Sequence, residues 1–212
     1  MAACASSSPS PSPSPVETIP AETLAPSEPA SPTPAPGGPQ AKTYDWSQYP
    51  GLLFYMVQTE PSRGQMQQID DAYFKLWGGP HVTLGGKATH TNSQVNEIVA
   101  GLQKLDTSAW TIGTDQVKVK NSSNGKLIEA HFSSSLADEA KQVLDEYKWQ
   151  NVKSGWHVTL GYTAKGDPSD PLSKTDQDQM VEILKASDWT FVVNLGDSAN
   201  TWVAVADIDT GS

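Results

Sequence analysis

Gly79-Pro80-His81-Val82-Thr83-Leu84-Gly85 returns later in the chain as Gly155-Trp156-His157-Val158-Thr159-Leu160-Gly161, with one position of seven changed. Side chains on a strand alternate between its two faces. His81 and Thr83 therefore share one face and Val82 and Leu84 the other, and His157 and Thr159 stand likewise against Val158 and Leu160. The apolar pair marks a core side. The imidazole and hydroxyl mark an open one, so each copy predicts a half-buried strand presenting the same two functional groups.

Each copy also sits in the same surroundings. Leu52 to Val57 is an apolar run suited to a strand, and after Thr59-Glu60-Pro61 the apolar residues Met66, Ile69, Tyr73 and Leu76 recur at helical spacing. The first motif strand, His81 to Leu84, comes next. A helix then carries Val95, Ile98, Val99, Leu102 and Leu105 on one face, opened by Thr91 and Gln94 in capping-box positions. Trp110 to Ile112 and the alternating Gln116 to Lys120 predict strands, closed by the turn signal Asn121 to Gly125.

The second half repeats this order. Leu127 to Phe132 predicts a strand, and Leu136, Ala140, Val143, Leu144 and Tyr147 a helix capped by Ser135 with Asp138. Trp156 to Tyr162 follows as the second motif strand, then a helix with Met180, Ile183 and Leu184 inward, then strands over Trp189 to Asn194 and Thr201 to Ala206. An offset of about 75 residues between halves indicates an internal duplication. The expected fold is α+β: two pseudo-symmetric lobes, each an antiparallel sheet with outer helices, flanking a central cleft.

Composition divides the chain. Residues 5–40 are almost wholly Ser, Pro, Ala, Thr and Glu, without Lys or Arg, and cannot bury enough apolar surface to offset the entropy of ordering. Residues 1–43 are thus expected to be a disordered Pro/Ser/Ala-rich tail and residues 44–212 the folded domain, which holds every Trp, Tyr and His. The net charge is -10, and only Glu17, Glu22 and Glu28 of the acids lie in the tail. An acidic domain with no run of Lys and Arg is a poor match to duplex nucleic acid. A small nucleotide or a short RNA end is the expected ligand, and a monomer the expected state.

The single cysteine, Cys4, excludes an internal disulfide and a cysteine-based zinc site. Met1-Ala2-Ala3-Cys4-Ala5-Ser6 is similar to the end of a bacterial lipoprotein signal, but the apolar stretch of such a signal does not precede it. No membrane span is expected. A cytoplasmic location follows from the sequence as written, with an exported lipoprotein anchored at Cys4 as the alternative.

Two imidazoles and two hydroxyls converging across a cleft suit a phosphodiester. Breaking a P–O bond needs a base for the incoming oxygen and an acid for the leaving one, and a histidine with a reference pKa of about 6.5 can hold either state near neutrality. Thr83 and Thr159 can donate to the non-bridging oxygens. Neither a metal nor another cofactor enters this scheme, and the four histidines lack the spacing of a zinc site.

The duplicated His-x-Thr strands resemble the 2H phosphoesterase superfamily, which includes 2′,3′-cyclic nucleotide phosphodiesterases, 2′-5′ RNA ligases and trimming enzymes of spliceosomal RNA. The resemblance spans essentially the whole folded part. It implies a two-lobed fold, metal-independent catalysis, His81 and His157 as catalytic residues, and Thr83 and Thr159 as phosphate-binding residues. The activity implied is hydrolysis of 2′,3′-cyclic nucleotide phosphates or of short 2′-5′ or 3′-5′ oligonucleotide ends. A non-catalytic nucleotide-binding module, or an RNA ligase or exonuclease of the same superfamily, is the alternative. Tyr162 also resembles the tyrosine of the His-x-Ser-Leu-x-Tyr form found in small cyclic phosphodiesterases. Which histidine is base and which is acid stays open.

Other residues near the motifs are candidates for substrate binding. Tyr162, Trp156 and Trp77 could stack on a nucleobase, and Lys87 and Lys165, a few residues beyond each motif, could attract phosphate. His131 and Ser133 also spell His-x-Ser, but at the end of an opening strand, where no catalytic role is expected. His90 is expected to be a solvated neighbour of a helix cap.

Overall fold

Apolar alternation builds two antiparallel sheets. Leu53–Gln58 (β1) buries Phe54 and Met56 on one face, and His81–Gly85 (β2) buries Val82 and Leu84 beside them. Gly125–Ser133 (β4) and Trp156–Ala164 (β5) do the same with Ile128, Ala130, Phe132, Val158 and Leu160. The structure, a computed structural model, describes residues 41–123, 125–164, 166, 172–196 and 201–211, and only the backbone of residues 76, 77, 109, 122 and 164. The expected tail up to residue 40, Lys165 and the side chain of Trp77 lie outside the described residues.

One sheet has the order β2-β1-β6-β7, with Trp189–Asn194 as β6 and Trp202–Ala204 as β7. The other has the order β3-β4-β5, with Gly113–Ser122 as β3. All pairings are antiparallel. The helices are Ser62–Ile69 (α1), Asp71–Trp77 (α2), Asn92–Leu102 (α3), Ser135–Glu146 (α4) and Lys174–Lys185 (α5). The fold is α+β, with β2-β1-β6 of one sheet matching β5-β4-β3 of the other. Among the described residues no helix is long and apolar enough to cross a membrane.

Sequence halves and lobes are not the same thing, which corrects the expectation that each half builds its own sheet. The strand closing the first half, β3, pairs with β4, and the strand closing the second, β6, pairs with β1. The reason is local. A hairpin closing at Ser122 and Gly125 joins β3 to its immediate successor with little loop-closure entropy. With one edge of β4 so occupied and β5 on the other, β6 takes the free edge of β1.

Four boundaries also differ from the periodicity. The helix expected through Met66 to Leu76 is two helices, because Asp70 leaves helical geometry and its carboxylate caps α2 by accepting from the Tyr73 amide at 3.0 Å. Trp110 and Ile112 are core residues outside any strand. Helix α4 is capped by Ser134 rather than Ser135, and Asp138 binds the Trp156 indole instead of completing a capping box. Strand β7 gives way to a 3₁₀ turn at Val205. At α3, Thr91 caps as expected, but the Gln94 side chain reaches the Tyr147 carbonyl.

The segment before β5 stitches the sheets together. Lys153 donates its amide to Leu84 at 2.8 Å, Gly86 donates to Asn151 at 3.0 Å, and the Trp149 indole donates to Gly86 at 2.9 Å. Gly85 has no room for a side chain here, since a Cβ would come within 2.6 Å of Leu144 and 2.7 Å of Trp149. The termini of the domain close in the same way, with Lys42 bridged to Ile208.

Candidate active site

The repeated glycine of each motif has a visible purpose. Gly79 and Gly155 take φ of 94° and 78°, in the region that favours glycine. This conformation turns their carbonyls toward the imidazole two residues on. Nδ1 of His81 lies 3.0 Å from the Gly79 carbonyl, and at His157 the backbone of Gly155 likewise favours the charged ring. A carbonyl can only accept, so Nδ1 of a neutral His81 carries the proton and Nε2 is left for chemistry.

Both motifs also carry the same irregularity. Across the first pair, Phe54 faces Gly85 and Tyr55 faces Thr83, which leaves Leu84 as an extra residue; across the second, Ile128 faces Gly161 and Glu129 faces Thr159, which leaves Leu160 extra. A bulge increases local twist and re-aims the strand. Its recurrence at the leucine of each His-x-Thr-Leu explains why the motif is conserved internally over seven residues rather than three.

β2 and β5 are the edge strands by which the two sheets approach. Between them His81, Thr159, Tyr73 and Leu127 line a cavity of about 170 Å³. Pockets that engulf whole small ligands run to roughly 300–1,000 Å³, so this one suits a phosphate and its adjoining sugar, with the remainder of a substrate outside. A roomier hollow of about 380 Å³ lies behind Leu102, Phe191 and Val205, but among the described residues no titratable side chain lines it. His157 is close enough to His81 for its charge to be felt there. Thr83 lies on the same face, across from Tyr55.

The two histidines have unlike surroundings. His81 is packed between the rings of Tyr55, 4.6 Å away, and Trp202, 6.2 Å away. Burial pushes its pKa below the ordinary value, opposed by the Gly79 carbonyl and assisted by the charge of His157. His157 is also held low by burial, but Glu129 opposes the shift strongly, before the smaller contributions of His131, Lys120 and Gly155. Glu129 is 5% exposed and has Oε1 at 3.9 Å from His157 Nε2. Its Oε2 accepts from Lys120 at 2.7 Å and from His131 at 3.0 Å.

Several functional neighbours were not singled out by sequence reasoning. Tyr73, read only as a helix-face residue, puts its buried phenol in hydrogen-bonding reach of Thr159, and burial raises its pKa so that it stays neutral. Arg63, the only arginine of the chain, lies 5.2 Å over the Trp202 ring and donates to the Gly78 carbonyl at 2.7 Å. The signal for Glu129 was present: it lies between Ile128 and Ala130, core residues, and so shares the open face with Leu127 and His131. His131 itself lies beside His157, with ring centroids 5.4 Å apart.

The remaining candidates fall as follows. Trp156 is a core residue, 4% exposed, its indole donating to Asp138 at 2.8 Å; next to His157 on a strand, it must point to the opposite face, away from any ligand in the cleft. Tyr162 lies on the open face, paired with Leu127 further along β5. Lys87 is exposed at the far end of β2 and packs its side chain over Gly51, remote from His81. His90 is not a solvated cap neighbour: its two nitrogens lie 3.2 Å and 3.1 Å from the carbonyls of Ala88 and Trp46, and its ring stacks on Trp149. Among the described residues no group of three or more His, Cys, Asp or Glu is placed to hold a metal ion.

No family model matches the chain, and no curated protein matches it. Among solved structures, that of Usb1 from Kluyveromyces marxianus is similar at 10% identity and a TM-score of 0.44, covering 74% of this chain and 98% of that one. A superposition so loose leaves the function to be argued from the residues themselves.

Proposed function

We propose that the protein is a phosphodiesterase of the 2H type, hydrolysing a 2′,3′-cyclic nucleotide phosphate or a short oligonucleotide end without a metal ion. One observation carries the reading: His81 and Thr159, on facing edge strands, line one cavity, and His157 shares the open face of its strand with Thr159, near enough for its charge to reach His81. A linear arrangement of base, phosphorus and acid needs two such groups on opposite sides of the reacting atom. Structural histidines have no reason to be duplicated with glycine, bulge and threonine.

The surroundings favour a phosphate. Thr159 offers a hydroxyl at the cavity, and Lys118 and Lys120 of β3 stand on the same face as Glu129, adding positive charge beside His157. Arg63 and the Trp202 ring extend the His81 side. The small cavity favours a terminal or cyclic phosphate over a bond within a long strand.

The test is a panel of 2′,3′-cyclic mononucleotides, 2′-5′ oligoadenylate and 3′-tailed RNA, incubated with full-length protein in excess chelator and resolved by mass spectrometry. Hydrolysis of at least one substrate in chelator is the expected result. Calorimetric binding of cyclic nucleotides with no product would establish a binding module instead, and strand joining would establish a ligase.

A further inference from the structure

The two sides of the cleft differ in charge. On the β2 side, His81 meets aromatic rings, and among the described residues no carboxylate contributes to its surroundings. On the β4 side, Glu129 is buried with one oxygen occupied by Lys120 and His131 and the other turned to Nε2 of His157. A buried carboxylate is costly unless paired. Here it is paired on one side only.

We propose that Glu129 is a positioning residue that favours the protonated form of His157 over that of His81, making His157 the acid and His81 the base of the phosphodiesterase chemistry inferred above, on which this proposal rests. The distance of 3.9 Å is too long for a hydrogen bond but well within reach of charge attraction. Lys120 and His131 fix the carboxylate so that it cannot swing away. Burial alone would push the Glu129 carboxyl up; the hydrogen bond from Lys120, then the charges of His157 and Lys120 and the bond from His131, bring it below the ordinary range. It is therefore an anion at neutral pH.

The step balances as follows. Water attacks phosphorus as one of its protons passes to Nε2 of His81, and a P–O bond forms. The P–O bond to one ribose oxygen breaks, its electron pair goes to that oxygen, and the oxygen takes the proton from Nε2 of His157. The product is a phosphomonoester beside a free hydroxyl. His81 ends protonated and His157 neutral, and proton exchange with solvent restores both.

Every group facing His157 bears on the outcome: His81 of β2, Lys118 and Lys120 of β3, Glu129 and His131 of β4, and Tyr73 of α2 through Thr159. The two charged neighbours on the Glu129 side act in opposite senses on His157, which makes the proposal testable by sign. The experiment is an NMR titration of the histidine side chains in the full chain, with His131→Asn to assign its own resonance. Glu129→Gln, which keeps the shape of the side chain, is expected to lower the His157 midpoint by about one pH unit, and Lys120→Met, at a half-exposed side chain, to raise it. His81 should stay in place. In parallel, Glu129→Gln should lower kcat at pH 7 about tenfold with KM unchanged and bring the alkaline limb of the pH profile to lower pH. A His157 midpoint that stays fixed in both variants, or shifts in the same direction in both, overturns the proposal. An active wild type with a fixed midpoint overturns the Glu129 coupling alone. An inert wild type with a shifted midpoint overturns the phosphodiesterase reading and leaves the coupling in place.

Discussion

The rings of His131 and His157 lie 5.4 Å apart, their planes inclined by 31°, on directly paired positions of β4 and β5. In the first sheet the residue opposite His81 is Val57, and the ring over His81 comes from Tyr55 instead. The duplication thus keeps the motif strands alike and lets their partner strands diverge. Valine and tyrosine desolvate one histidine; histidine and glutamate charge the surroundings of the other. Consequences for catalysis and stability follow from that divergence.

Replacing either motif histidine should cut turnover sharply without unfolding the protein. Both side chains are only partly buried, and neither belongs to the apolar core. His81→Ala and His157→Ala are each expected to lower kcat/KM about 10²–10⁴-fold, with a thermal midpoint within a few degrees of wild type. Steady-state kinetics on the active substrate and circular dichroism melts check both halves of the expectation.

Stability should weaken in mild acid because both motif histidines are held below their ordinary pKa. Burial holds the pKa of both His81 and His157 below the unfolded value of about 6.5. Between that value and the depressed folded one, the unfolded chain binds more protons, so unfolding free energy rises with pH. The contribution is complete above the unfolded pKa and is lost as pH falls through the folded one. Urea unfolding from pH 7.5 down to 5 should give a declining stability in wild type and a shallower decline in His81→Gln. An equal slope in the two would refute the assignment.

The fold class and the shared face of the motif histidine and threonine on each strand were legible because the alternation of Val82 and Leu84 against His81 and Thr83 needs only a strand period to interpret. The exchange of β3 and β6 between lobes was not, since periodicity describes each element and says nothing of which edge it joins. Trp156 was misjudged where the same alternation, applied one residue earlier, already placed it with the core. Glu129 was overlooked for a different reason. Its significance lies in Lys120, His131 and His157, which come from three strands and meet only through register.

Thr159→Val should separate phosphate binding from acid–base chemistry. The hydroxyl stands at the cavity, and valine keeps the β-branched shape that β5 requires. Loss of one donor to a developing negative charge is expected to lower kcat about 10²-fold, while the His81 and His157 limbs of the pH profile keep their positions. Tyr73, whose buried phenol lies in reach of that hydroxyl, loses a polar neighbour, and a stability loss of about 1–3 kcal/mol should accompany the kinetic effect.

Two tryptophans should respond in opposite ways. Trp156 fills the core beneath α4, so Trp156→Ala is expected to cost about 3–5 kcal/mol of stability and to leave KM unchanged in the fraction that folds. Trp202 is half-buried, lies beside His81 and Tyr55 and carries Arg63 over its ring. Aromatic stacking on a base is worth about 1–3 kcal/mol, so Trp202→Ala should raise KM roughly tenfold or more with a smaller loss of stability. Arg63→Ala should raise KM as well, through the lost cation over the Trp202 ring. Melting curves and Michaelis constants measured on the same preparations decide the matter: a stable Trp156→Ala with raised KM would return that ring to the cleft, and an unchanged KM in Trp202→Ala would remove the second ring from it.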